Sequence, residues 1–114
     1  MDTIKTLVIE PLRRPELRDI DPSITAIGKT IGGYAEPLPL DRRTTLWCDE
    51  EGAIKNLKPN RTIRLSQDSR LADAGKPIII RGTFVITGPH PQDGPLGLDD
   101  EQIGRYAAML ADPE

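Results

Sequence analysis

The chain has 114 residues, a net charge of -3, 29% charged and 37% hydrophobic residues, 11 prolines and a single cysteine. That length is one domain's worth, 1–114, able to bury a modest core without staples. The composition excludes disorder throughout. The acidic balance argues against a dedicated nucleic-acid binder, and Cys48 alone excludes an intramolecular disulfide.

Apolar runs are short, three residues in Leu7-Val8-Ile9 and Ile78-Ile79-Ile80 and six at most. A membrane helix needs about 20, and the opening Met1-Asp2-Thr3-Ile4 has no signal-peptide pattern. The expectation is a cytoplasmic protein without membrane attachment.

Thr3 to Glu10 reads as a strand, with Glu16 to Ile20 returning beside it across a proline-bounded loop. Asp21 is placed to cap a helix with Pro22 in its first turn, and Ile24, Ile27 and Ile31 form its apolar stripe. Gly32-Gly33 ends it. Tyr34 to Leu40 alternates but holds Pro37 and Pro39, the mark of an edge strand.

Thr44 to Cys48 is a further strand. Asp49-Glu50-Glu51-Gly52 then reads as a hairpin loop with Gly52 at positive φ, returning through Ala53-Ile54-Lys55. Residues 56 to 77 are punctuated by Asn56, Pro59, Asn60, Gly75 and Pro77 and read as irregular, with a helical turn at Ser69 to Ala74. Ile78 to Thr87 is the strongest strand pattern, with Gly82 as a bulge. A proline- and glycine-rich loop, 88 to 97, leads to a last helix. There Asp99 and Gln102 form a capping box, and Leu98 and Ile103 take the staple positions.

These elements predict an α+β fold: a mostly antiparallel sheet of about five strands with two short helices packed on it. The expected core is Leu7, Ile9, Ile27, Ile31, Leu46, Phe84, Ile86, Ile103 and Leu110.

No residue set carries obvious chemistry. His90, the only histidine, sits in a turn-rich loop with Asp93 as its one near carboxylate; a solvated loop histidine is the plain reading. Cys48 precedes three acidic residues, which disfavour a thiolate, so it reads as a packed, unreactive thiol. One cysteine and one histidine cannot build a structural zinc site. The acidic runs 49–51 and 99–101 lack calcium-loop spacing, and the glycines lack a phosphate-loop context. No cofactor is expected.

Charge distribution is the remaining signal. Lys55, Lys58, Arg61 and Arg64 stand within ten residues without an acidic neighbour, while the stretch after Asp93 is acidic except for Arg105. One reading is an anion-binding segment built on Lys58, Asn60, Arg61 and Arg64, with Arg61 offering a bidentate fork to phosphate or carboxylate. The other is that the basic and acidic regions pair with each other or are solvated.

The ordered set Ile31-Gly32-Gly33-Tyr34, Cys48-Asp49-Glu50-Glu51-Gly52, Pro59-Asn60-Arg61, Gly82-Thr83-Phe84-Val85-Ile86 and Leu98-Asp99-Asp100-Glu101-Gln102-Ile103 resembles the uncharacterised family called domain of unknown function 3846. Leu7-Val8-Ile9-Glu10-Pro11 fits it too, so the resemblance runs from about Lys5 to Leu110. The chain departs from it at Ser66 to Pro77, which lacks a compact acidic-glycine turn, and at Arg81, where a small residue is usual. The resemblance implies a bacteriophage, plasmid or bacterial mobile-element setting and no catalytic residues. The expectations are thus a non-enzymatic accessory module acting on a host or phage protein or, alternatively, a binder of a small nucleotide-like anion or of a nucleic-acid backbone through Lys55 to Arg64.

Overall fold

A computed structural model of the chain describes residues 2–66, 75–91 and 94–114. In chain order the elements are β1 (Ile4–Ile9), β2 (Glu16–Ile20), α1 (Ile24–Ile31), β3 (Ala35–Asp41), β4 (Thr44–Asp49), β5 (Pro59–Arg64), β6 (Pro77–Arg81), β7 (Phe84–Thr87) and α2 (Asp100–Met109).

Five strands form one antiparallel sheet in the order β2-β1-β7-β4-β3, and β5 and β6 form a separate two-stranded ribbon. The fold is α+β, as the sequence predicts.

The sheet is covered on both faces, and period-two alternation decides which side chain goes where. Val8, Trp47 and Val85 turn to one face and meet Ile27 and Ile31 of α1. Leu7, Ile9, Leu46, Phe84 and Ile86 turn to the other. There they meet Tyr106 and Leu110 from α2 and its end, and Ile63, Leu65 and Ile80 from the ribbon segment. Consecutive apolar residues in β1 and β7 follow from burial on both sides. Eight of the nine expected core residues are buried, and Ile103 is partly buried against the same cluster. Trp47 donates Nε1–H to Thr87 Oγ1 at 2.9 Å, so its one polar atom is satisfied in the interior.

β3 is an edge strand, and its prolines face outward. The Glu50 N–H bonds Tyr34 O, which sets even-numbered residues as the inward-bonding positions of this ladder. Pro37 and Pro39 therefore remove donors from the open edge, where they would invite foreign pairing.

Several local expectations change. Ser23 caps α1 in place of Asp21, its Oγ accepting from Ala26 N–H at 3.1 Å. Pro22 thus precedes the cap, and Ile24 is half-exposed at the start of the stripe. Gly32 ends α1 at φ 88°, a conformation that favours glycine.

Ala53-Ile54-Lys55 is not a returning strand. Residues 50–56 wind through turns, with Lys55 N–H bonding Glu51 O and Leu57 N–H bonding Gly52 O, and positive φ falls at Asn56 (54°) and not at Gly52.

Part of the stretch read as irregular, 56–77, is β5. The helical turn expected at Ser69 to Ala74 lies outside the described residues. The long strand read over Ile78 to Thr87 is two strands in two sheets. Gly82, at φ 76° and tight against Leu57, makes the corner between them. The capping box of α2 forms as the sequence predicts: Gln102 N–H donates to Asp99 Oδ1 and Asp99 N–H to Gln102 Oε1, at 2.8 and 2.9 Å.

Among the described residues, no helix is long and apolar enough to cross a membrane.

Candidate binding cavity between β5 and α2

The basic segment folds in a way its charges do not announce. The β5–β6 register slips between Pro59 and Arg61, which leaves Asn60 as an extra residue. That bulge turns Asn60 and Arg61 inward together, where a regular strand would point them to opposite faces. Both are buried, each 1% exposed.

Asn60 Nδ2 donates to Ile9 O and Gly82 O, both at 2.9 Å, tying the ribbon to the sheet. The Arg61 guanidinium is saturated. Nε–H and one Nη2–H reach Leu110 O, at 3.2 and 3.0 Å; Nη2 also reaches Arg13 O at 2.7 Å. Nη1 bonds Asn60 Oδ1 at 2.8 Å and Asn60 O at 3.3 Å. Five contacts match the five donors of the group. Its charge sits on the carbonyl at the C-terminal end of α2, where the helix dipole favours a cation.

Asn60 and Arg61 therefore join β5, α2 and the β1–β2 loop, and they do not present a fork to a ligand. Lys58 and Arg64 are exposed. Arg64 Nη1 also donates to Gly75 O. Lys55 is engaged with Asp49: Nζ lies 2.9 Å from Oδ2 of a carboxylate only 2% exposed. Burial pushes the Asp49 carboxyl up, but Lys55 and the Glu51 N–H overcome it and hold it below its ordinary value. The four expected site residues thus divide into two structural residues and two exposed ones.

Beside Arg61 the structure opens a cavity of about 370 Å³. Leu40, Ile63, Met109 and Leu110 supply apolar wall; Arg64 and Arg105 supply positive charge; Asp41, Asp112 and Glu114 supply negative charge. The volume and the mixture fit a small-ligand or side-chain pocket. The lining comes from the end of β3, from β5 and from the second half of α2 and the residues after it, and Ser66 N–H bonds Pro39 O at 3.1 Å.

Tyr106 O–H donates to Asp41 Oδ2, and the Arg43 N–H donates to Asp41 Oδ1 at 2.7 Å. Burial, followed by the Asp41 contact, pushes the Tyr106 hydroxyl up to about 12. Burial also pushes Asp41 up, but its hydrogen bonds from Tyr106 and Arg43 outweigh that and keep it below its ordinary value. Arg105 lies over the Tyr106 ring, 5.9 Å from its centroid.

At the cavity's other end the Glu114 carboxylate sits on β5. It accepts from Thr62 N–H through Oε2 and from Thr62 Oγ1–H through Oε1, both at 2.9 Å. Those two bonds, aided by Arg61, lower its pKa.

The sequence reading missed Arg105, Tyr106 and Asp41. Arg105 had a visible signal as the one base in an acidic stretch, four residues before Met109 on the same helix. Cys48 is buried as expected, its thiol pushed up to about 12 by burial and by Glu36 and Asp49. His90 is exposed, its ring edge-on to Trp47 at 4.8 Å; Asp93 lies outside the described residues. Among the described residues no cluster of histidine, cysteine and carboxylates could hold a metal ion.

No curated protein and no solved structure matches the chain. One family model does, the one described as Domain of unknown function (DUF3846), and it spans residues 4–111. With nearly the whole chain inside that match, this protein belongs to the DUF3846 family.

Proposed function

We propose that this chain is a non-enzymatic interaction module, an accessory protein of bacteriophages or related mobile elements that engages a host or phage protein at the β5–α2 cavity. The carrying observation is the cavity itself, where apolar Leu40, Ile63 and Met109 lie beside the exposed charges of Arg64 and Arg105. Apolar surface bordered by charges of both signs, two exposed arginines among them, suits a protein interface.

The mobile-element setting rests on the family resemblance alone.

The test compares two baits in an extract of a bacterial host: the natural chain and the double variant Arg105→Glu, Met109→Asp. Both positions are exposed, so the variant should fold. The expected result is a partner retained by the natural chain and reduced at least roughly tenfold by the variant, as for loss of a hot spot. Equal capture by both baits would remove the cavity from the interface.

A second reading, a small anionic ligand, is favoured by Arg64 and Arg105 lining one cavity. Thermal shift against nucleotides, inorganic phosphate and dicarboxylates should then show stabilisation that salt weakens and that Arg64→Ala and Arg105→Ala each reduce. A panel without a shift, or with one indifferent to both changes, rejects it.

A further inference from the structure

We infer that the outer edge of β5 is a carboxylate-binding site which Glu114 occupies in cis, and that a partner takes it with an acidic side chain of an extended segment, displacing Glu114. This deepens the interaction-module reading and rests on it.

The chain displays the recognition chemistry on itself. A strand edge normally leaves its N–H groups to water or to a neighbour. Here the Thr62 N–H and Oγ1–H converge on the two oxygens of a single carboxylate, both at 2.9 Å. That two-point geometry matches a planar carboxylate. The Arg61 charge, buried behind the strand, favours an anion there without contacting it.

The site continues along the strand. Antiparallel alternation sends the N–H groups of Thr62, Arg64 and Ser66 to the same edge. Ser66 is joined to Pro39 and Thr62 to Glu114, and Arg64 stands between them where the cavity opens. Donors two residues apart are the spacing that an added extended strand uses. A segment entering here would place one acidic side chain at Thr62, a second against the remaining donors of the Arg64 guanidinium, whose Nη1 bonds Gly75 O, and its intervening apolar side chain toward Ile63 and Met109.

Glu114 is a suitable placeholder because it is weakly held. Its contacts with Thr62 are exposed to solvent, whereas Leu110, four residues earlier, is anchored by Arg61 in the interior. Residues after Leu110 can therefore leave β5 without disturbing the end of α2.

The probe is a labelled, terminally blocked hexapeptide alternating valine and glutamate; its control replaces glutamate with glutamine. Binding is followed by fluorescence anisotropy. Removing the resident carboxylate with Glu114→Ala should tighten the glutamate peptide by roughly fivefold, since a competitor for the site is gone. Thr62→Val keeps a β-branched residue in the strand and should weaken it by a similar factor in the Glu114→Ala background. The glutamine peptide should bind neither protein.

Unchanged affinity on Glu114→Ala, equal binding of the glutamine peptide, or indifference to Thr62→Val would each overturn the inference. So would inorganic phosphate that competes with the peptide as well as the unlabelled peptide does, because the site would then be a general anion hole. Failure here with success of the Arg105/Met109 bait comparison removes only the β5 edge; failure of the bait comparison removes the module reading itself.

Discussion

Replacing Arg61 with methionine is expected to destabilise the protein by about 4 kcal/mol, the cost of leaving several buried polar groups without partners. The side chain is 1% exposed, and the cavity at its edge does not compensate. Its removal strips hydrogen bonds from Leu110 O, Arg13 O and Asn60 Oδ1 together. Each acceptor belongs to a different segment, so the end of α2, the β1–β2 loop and the β5 bulge all lose their common tie.

A small domain has about 5–15 kcal/mol in total, so a loss of this size brings it near unfolding. Arg61→Lys should recover only part, since an ammonium cannot reproduce the planar fork. Urea denaturation gives the check: the midpoint should fall steeply for Arg61→Met while Arg64→Ala, at an exposed neighbour, changes stability by no more than about 0.5 kcal/mol. Near-equal effects at the two positions would mean that the buried guanidinium is not the tie described.

The second large effect is expected at Gly88. A methyl group there would lie 2.4 Å from Gly97 O and 3.1 Å from Leu96 O, both backbone atoms that cannot rotate away. The two ends of the 88–97 loop approach this closely because Gly88 N–H bonds Leu96 O at 2.9 Å and Leu96 N–H bonds Pro89 O at 2.8 Å. Gly88→Ala must part them. The displacement would reach Leu98, whose N–H bonds Lys5 O at 2.9 Å and seats the start of α2 beside β1.

Overpacking of this kind costs about 3 kcal/mol, which for a domain of this size lowers the melting temperature by roughly 10–20 °C. Gly104→Ala is the control: nothing lies within 4 Å of its added methyl, and helix propensity favours alanine, so it should be neutral or stabilising. A melting temperature unchanged by Gly88→Ala would show that the loop ends are not held in contact.

The elements legible in the sequence are those whose signals are local. The capping box of α2 needs only Asp99 and Gln102, three residues apart, and it forms as written. Gly32 stops α1 because the left-handed conformation is an intrinsic allowance of glycine, and the prolines of β3 mark an open edge because they lack an N–H. The apolar faces of β1, β4 and β7 follow from alternation, which a chain carries in its order of residues.

The β5 ribbon and the cavity were decided at longer range. Pro59-Asn60-Arg61 reads as a punctuated basic loop because its partners, Ile9, Arg13, Gly82 and Leu110, lie 22 to 51 positions away in the chain. Whether an arginine faces water or the interior depends on whether carbonyls from other segments can saturate it, and nothing adjacent to Arg61 states that. Gly82 could be a bulge within one strand or a corner between two sheets; close contact with Leu57 accompanies the second. Arg64, Arg105 and Glu114 share a cavity because β5, α2 and the chain end meet in the folded structure. The sequence by itself determined the two helices, the strands of the main sheet and which face of each is apolar, since those depend on local geometry and side-chain order. The tertiary structure decided which charges are structural and which border a cavity, because desolvation and hydrogen bonding are set by neighbours distant in sequence.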